Sequence, residues 1–204
     1  MARAVASLVA VRVRQDTDPV TLVEGVLQTW RPYKESDLGK RIRIIWEGSE
    51  YRGRGRQSVW DGSAVLTGNS FGTPTPINLW NIDKTLQHPR PDTLSWSALT
   101  TGGFGGADVT LADAHAGTLS IKTAQLSAEV PVAEIGFEDK VFDTVGGIKR
   151  RMRLFRLPDR NETRSAKLSR RIKLNDGIDN AIYVCITLED GSLIWSSPVY
   201  VFRG

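Results

Sequence analysis

Lys167-Leu-Ser-Arg-Arg-Ile-Lys-Leu-Asn-Asp-Gly-Ile-Asp-Asn-Ala-Ile-Tyr-Val-Cys-Ile-Thr-Leu-Glu-Asp-Gly-Ser-Leu-Ile-Trp-Ser-Ser-Pro-Val-Tyr-Val-Phe-Arg203 reads as three strands joined by two tight turns. Ile182, Val184, Ile186 and Leu188 alternate with Tyr183, Cys185 and Thr187. That two-residue period is the pattern of a half-buried strand. Glu189-Asp-Gly-Ser192 then reverses the chain, because Asp and Gly tolerate the positive φ a hairpin turn demands. Ile182, Val184, Ile186, Leu188, Trp195, Val199 and Val201 are therefore expected to be largely buried.

Working outward, turn signals recur at short spacing and helical periodicity is scarce. Strands are expected over 20–27, 41–46, 50–60, 63–67, 93–101, 117–124, 132–137, 148–157, 167–174, 181–189 and 193–202. Ile42, Ile44 and Trp46 share one face of the second. Glu47-Gly-Ser49 and Asp61-Gly62 are read as reversals. Residues 69–90 are rich in Pro, Asn and Gly and read as a long excursion. Many short strands with regular turns predict an all-β fold, a β-sandwich of two mainly antiparallel sheets with little helix. The domain reading is an N-terminal segment, 1–20, and one sandwich domain, 21–204.

Composition bounds the rest. A chain of 204 residues, 40% hydrophobic and 25% charged, can bury a core without staples. No apolar run approaches the roughly 18 residues of a membrane helix. The lone cysteine, Cys185, lies inside a strand pattern and reads as a buried structural thiol. The start, Met1 to Arg14, has a short apolar run followed by Arg12 and Arg14, so it reads as a strand or a frayed end rather than a signal peptide.

Several motifs together resemble the C-terminal end of a bacterial family whose long members carry an N-terminal PHP-like (polymerase and histidinol phosphatase) metallohydrolase domain. They are Thr29-Trp-Arg-Pro-Tyr33, Arg52-Gly-Arg-Gly-Arg56 running into Trp60-Asp-Gly62, Thr100-Thr-Gly-Gly103 with Gly106-Ala-Asp108, Arg156-Leu-Pro158, and Glu189-Asp-Gly191 with Trp195-Ser-Ser-Pro198. The resemblance covers Leu22 to Arg203 and leaves the first twenty residues out. It implies an accessory β domain whose partner is a metallohydrolase domain or subunit, in a bacterial cytoplasm. The family's metal ligands would lie in the preceding domain. His88 and His115 are the only histidines here, too few for a multi-histidine centre. No catalytic, metal or cofactor residue carries over, and the isolated chain is expected not to be an enzyme.

Three constellations remain. In a continuous strand, Arg52, Arg54 and Arg56 would line one face, where three guanidinium groups could hold a phosphate or carboxylate. The bland reading pairs them with Glu47, Glu50 or Asp61. Residues 149–173 hold eleven cations, Arg151, Arg153, Arg170 and Arg171 among them, against Asp159 and Glu162. The rest of the chain is net acidic, 16 basic residues against 21 acidic, so this stretch carries the whole positive excess. An acidic protein surface fits better than nucleic acid, since no aromatic residues interleave for base stacking. Thr101-Gly-Gly-Phe-Gly-Gly106 lacks the ending of a phosphate loop and reads as a turn. Asp108, Asp113 and His115 match no known cation loop. The six tryptophans keep a free-standing carbohydrate-binding module open, the arginines an anion-binding one, and an unrecognised hydrolase site a third alternative.

Overall fold

Short-period alternation makes strands along most of the described residues. The computed structural model describes residues 8–16, 24–30, 33, 35–52, 55–79, 83, 85–160, 167, 169, 171, 174, 180–189 and 192–201; for 8–16, 24–30, 35 and 52 it describes the backbone. In chain order the strands are Leu8–Asp16 (β1), Glu24–Trp30 (β2), Leu38–Arg52 (β3), Gly55–Val59 (β4), Gly62–Thr67 (β5), Thr75–Ile77 (β6), Leu86–Arg90 (β7), Thr93–Trp96 (β8), Leu99–Thr100 (β9), Phe104–Thr110 (β10), Thr118–Thr123 (β11), Ser127–Pro131 (β12), Lys140–Asp143 (β13), Ile148–Pro158 (β14), Asn180–Leu188 (β15), Leu193–Trp195 (β16) and Val199–Val201 (β17). Helix among these residues is limited to 3-10 turns at Glu35–Asp37 and Val132–Glu134. The fold is all-β, as the turn spacing predicts.

The chain divides into two compact units, Met1–Pro32 with Arg160–Gly204, and Tyr33–Asp159. This differs from the expected boundary at residue 20. The reason lies in strand pairing: β1 runs antiparallel to β15, with Val13 opposite Val184 and Arg12 opposite Cys185. The two ends of the chain thus build one sheet, a partnership that no local pattern reveals.

In the unit Tyr33–Asp159, two antiparallel sheets face each other. One has the order β13-β14-β3-β10-β6, with β4 and β9 at its margin; the other has the order β12-β11-β5-β8-β7. Ile42, Ile44 and Trp46 all point into the core, the face their spacing assigns them. They meet Leu66, Leu94, Trp96, Leu119 and Ile121 of the facing sheet. The Trp46 and Trp96 rings stack, with centroids 4.9 Å apart and planes 7° from parallel. Burying apolar side chains of this size stabilises by roughly 1.5–3 kcal/mol each.

In the other unit, β15 is flanked by β1 on one side and by β16 and β17 on the other. Here the expected core needs correction. Ile182, Val184, Ile186, Leu188 and Val201 are only half-buried. Trp195 and Val199 are exposed. The buried positions of β15 are Cys185 and Asn180. The register explains part of this. Cys185 lies opposite Trp195 and Ile186 opposite Ile194, so Trp195 belongs to the Cys185 face. The break at Ser196–Pro198 returns Val199 to the face of Ile182. A period of two says which residues share a face; it does not say which face another layer covers.

Two expected turns also change character. Glu47-Gly-Ser49 does not reverse the chain, because β3 runs straight through it to Arg52. Gly48 sits at φ +92°, and a Cβ there would lie 2.2 Å from the Lys149 carbonyl oxygen. Its conformation absorbs the register shift between β3 and β14 near Ile148. Gly48→Ala should therefore destabilise by about 2 kcal/mol, through both the positive φ and the collision. A urea midpoint unchanged from wild type would contradict this. The segment 132–137 is the second case: its start is a 3-10 turn, and the strand lies just before it, at β12.

Candidate functional site

The long β3 projects past its neighbours and pairs with β4 as a hairpin arm. Glu50 lies opposite Gln57, Tyr51 opposite Arg56 and Arg52 opposite Gly55. The chain therefore reverses between Arg52 and Gly55, inside the Arg-Gly-Arg-Gly-Arg motif itself. This overturns the arginine ladder. In the hairpin, the strand positions of Arg52 and Arg56 fall on opposite faces, and Tyr51 shares the face of Arg56. Arg54 lies outside the described residues, as does the side chain of Arg52. Glycine-rich sequence between two strand runs is a turn signal as much as a strand with small residues, and the turn wins here.

Tyr51 and Arg56 form a unit at the surface. The Arg56 Nη2 donates to the Tyr51 hydroxyl at 2.5 Å. Its guanidinium carbon sits 4.7 Å from the ring centroid, within cation–π range. Tyr51 is 65% exposed and Arg56 is also exposed. The pair holds its shape without burying itself in the core. Tyr and Arg, with Trp, are enriched among the side chains that carry most energy at protein interfaces, and bracing one against the other lowers the rotamer freedom Arg would lose on binding.

The basic stretch divides in two. Its first half is engaged within the molecule. Arg151 Nε donates to Glu47 Oε1 at 2.5 Å. Arg153 donates to Glu47 Oε2 at 3.1 Å and to Asp139 Oδ2 at 3.2 Å. Arg150 pairs with Glu50 and donates to the Val145 carbonyl. Arg151 and Arg153 are thus ion-paired strand residues, and their candidate anion site already holds Glu47. In the second half, Arg171 is exposed, and Arg170 lies outside the described residues.

Three of the tryptophans go inward. Trp46, Trp60 and Trp96 are buried. Trp60 Nε1 donates to Thr100 Oγ1 at 2.9 Å, and Trp96 Nε1 to the Trp60 carbonyl at 2.6 Å. Trp80 lies outside the described residues. An open depression of about 490 Å³ on the outer face of the second sheet is lined by Ser63, Val65, Ser120, Lys122, Ser127 and Glu129, with no aromatic ring. The glycine-rich Thr101–Gly106 is a turn only at its start. Gly102 has φ +117°, and Gly105 and Gly106 already belong to β10. A Cβ at Gly105 would lie 2.7 Å from Trp46 Nε1, so glycine lets the strand lie against the indole.

No family model, curated protein or solved structure matches this chain. Asp108, Asp113 and His115 take separate roles. Asp108 binds Arg43, while Asp113 accepts the backbone N–H groups of His115 and Ala116 at 2.7 and 2.8 Å. Those two hydrogen bonds hold the Asp113 carboxyl below its ordinary pKa. Among the described residues, no three His, Cys, Asp or Glu side chains converge as a metal-binding group.

Two buried arginines escape sequence reasoning. Arg156 is fully buried, and its guanidinium donates to four carbonyls: Ile135 at 3.1 Å, and Gly39, Ala114 and Val132 at 2.9 Å each. Burial pushes its pKa below the ordinary value, against the opposing charge of Asp159. Arg43 makes a two-pronged pair with Asp108, at 2.6 and 2.7 Å. The partners in these contacts are 21 to 117 residues away. A charged residue at an apolar-face position was the one signal in the sequence, and Arg156 stands two residues after Leu154, on the same face of β14.

Proposed function

We propose that this chain is a non-catalytic accessory domain that docks on a PHP-like metallohydrolase domain, either within one polypeptide or as a separate subunit. The partner class comes from the motif resemblance over Leu22 to Arg203. The mode of docking is supported by one observation above all: the exposed, mutually braced Tyr51–Arg56 pair on the β3–β4 arm. Both side chains stand outside the core. Their aromatic and cationic groups suit a polar, acid-bearing surface. The sugar-binding alternative loses three of its candidate rings, because Trp46, Trp60 and Trp96 pack in the core rather than line a groove.

Titration calorimetry against a PHP-like domain from a long member of the resembled family tests the proposal. Binding is expected, and Tyr51→Ala with Arg56→Glu should weaken it by about tenfold or more. Those residues are exposed, so the folded state should survive the change. An absence of binding at any reachable concentration would refute docking, as would binding indifferent to both substitutions. Turnover of phosphoesters by the purified chain would refute the non-catalytic part.

A further inference from the structure

We propose that the open depression on the outer face of the second sheet is a binding site for a small polyhydroxylated monocarboxylate, the chemistry of a sugar acid. It lies within the unit Tyr33–Asp159 and shares no residue with the docking arm.

The site follows from register. Ala64 and Leu66 of β5, Leu119 and Ile121 of β11 and Val130 of β12 belong to the core. Their neighbours along each strand therefore take the outer face. Lys122 stands opposite Ser63 of β5 and opposite Ser127 of β12, so one ammonium is flanked by a hydroxyl on each side. In the next row Ser120 stands opposite Val65 and Glu129. Side chains directly opposite are about 5 Å apart and diagonal ones about 7–8 Å, which keeps the group within reach of one small molecule. Ser63, Val65 and Ser120 are half-buried and form the floor, while Lys122, Ser127 and Glu129 are exposed at the rim. The depression measures about 490 Å³, a volume in the range of small-molecule sites.

The polar groups here are unused by the fold. Among the described residues, the side chains of Ser63, Ser120, Lys122, Ser127 and Glu129 have no hydrogen-bond or ion-pair partner. Charged strand residues elsewhere in this unit behave differently: Arg43, Arg150, Arg151 and Arg153 all hold carboxylates.

The ligand class follows from the donor and acceptor inventory. Lys122, Ser63 and Ser127 set donors around one point, which suits an oxyanion. Glu129 accepts and does not donate, so it calls for a hydroxyl on the ligand, and Ser120 beside it serves either way. Val65 offers an apolar floor to the C–H face of a sugar ring. The site carries one cation and one anion. A monocarboxylate matches that balance, whereas a phosphate dianion meets repulsion from Glu129 with one lysine to offset it. No serine here is hydrogen-bonded to a base, so the arrangement binds and holds no activated nucleophile.

An amide-resolved NMR titration of the full chain with glucuronate tests the proposal. Saturable shifts centred on β5, β11 and β12 are expected, with a Kd of about 1 mM. Acetate lacks the hydroxyls, glucose lacks the carboxylate, and inorganic phosphate carries the wrong charge; each should bind at least about tenfold more weakly. Lys122→Met should weaken glucuronate at least about tenfold. Lys140→Met, on a strand of the other sheet, should leave it unchanged. Glu129→Gln separates the two charges: phosphate should gain affinity, with glucuronate held within about threefold of wild type. Lys122 and Glu129 are exposed, so these variants should fold. No saturation by about 50 mM glucuronate overturns the site. Acetate, glucose or phosphate binding as tightly as glucuronate overturns the ligand class, and shifts unaltered by Lys122→Met overturn the location.

Discussion

Arg156→Met should cost the sandwich roughly 4 kcal/mol, and the urea midpoint should fall accordingly. Arg156 has no solvent exposure and bridges the Ile135, Gly39, Ala114 and Val132 carbonyls. Those groups belong to the start of β3, the loop before β11 and the 3-10 turn after β12, so one guanidinium ties three chain segments together. Hydrogen bonds from a charged donor contribute about 1.5–3 kcal/mol each, and a buried acceptor left alone costs about 1–3 kcal/mol. Full summation overshoots, because the loops relax and water enters. The melting temperature should drop by about 10 °C. Arg156→Lys separates charge from shape. An ammonium keeps the positive charge but cannot span four carbonyls with a planar fork. Lysine should therefore recover less than half of the loss. A loss under about 1 kcal/mol for Met would show that the carbonyls find other donors easily.

Residues 42–46 show why the fold class was legible and the site was not. The alternation of Ile42, Ile44 and Trp46 fixes which face of β3 is apolar, and all three are in the core. The same applies to Asp61-Gly62, where β5 begins as the turn signal requires. Such rules act over a few residues. Wherever one local signal had two outcomes, tertiary contact chose between them. Gly48 was a turn candidate and became a point of close approach inside a strand, because Lys149 crowds it. Arg52 to Arg56 looked like a strand and became a hairpin, which moved Tyr51 to the side of Arg56. Gly105 and Gly106 looked like a turn and lie in β10, against Trp46 and β3. The charged residues were least legible. Glu47 receives Arg151 and Arg153 across more than a hundred residues of sequence, so composition could reveal the excess of cations but not their partners.

Asp108→Ala should destabilise by about 3–5 kcal/mol, because it takes a two-pronged carboxylate away from a buried guanidinium. The Arg43 side chain is 2% exposed and its pair with Asp108 is two-pronged, while Arg41 stands 3.7 Å from the same carboxylate. Removing the acid takes the carboxylate away from one buried cation and from a second beside it. Removing both partners is different. Desolvating two ions takes back most of what their attraction returns, so a well-packed apolar pair can match a buried ion pair. Arg43→Met with Asp108→Leu should therefore be more stable than Asp108→Ala alone, although it carries one substitution more. Equilibrium urea unfolding of wild type, both single variants and the double variant decides the sign. A double variant less stable than Asp108→Ala would mean that the pair contributes more than its desolvation costs, and that Arg41 or the neighbouring strands depend on the carboxylate for their position. A single variant within about 1 kcal/mol of wild type would mean that water reaches Arg43 once the carboxylate is gone.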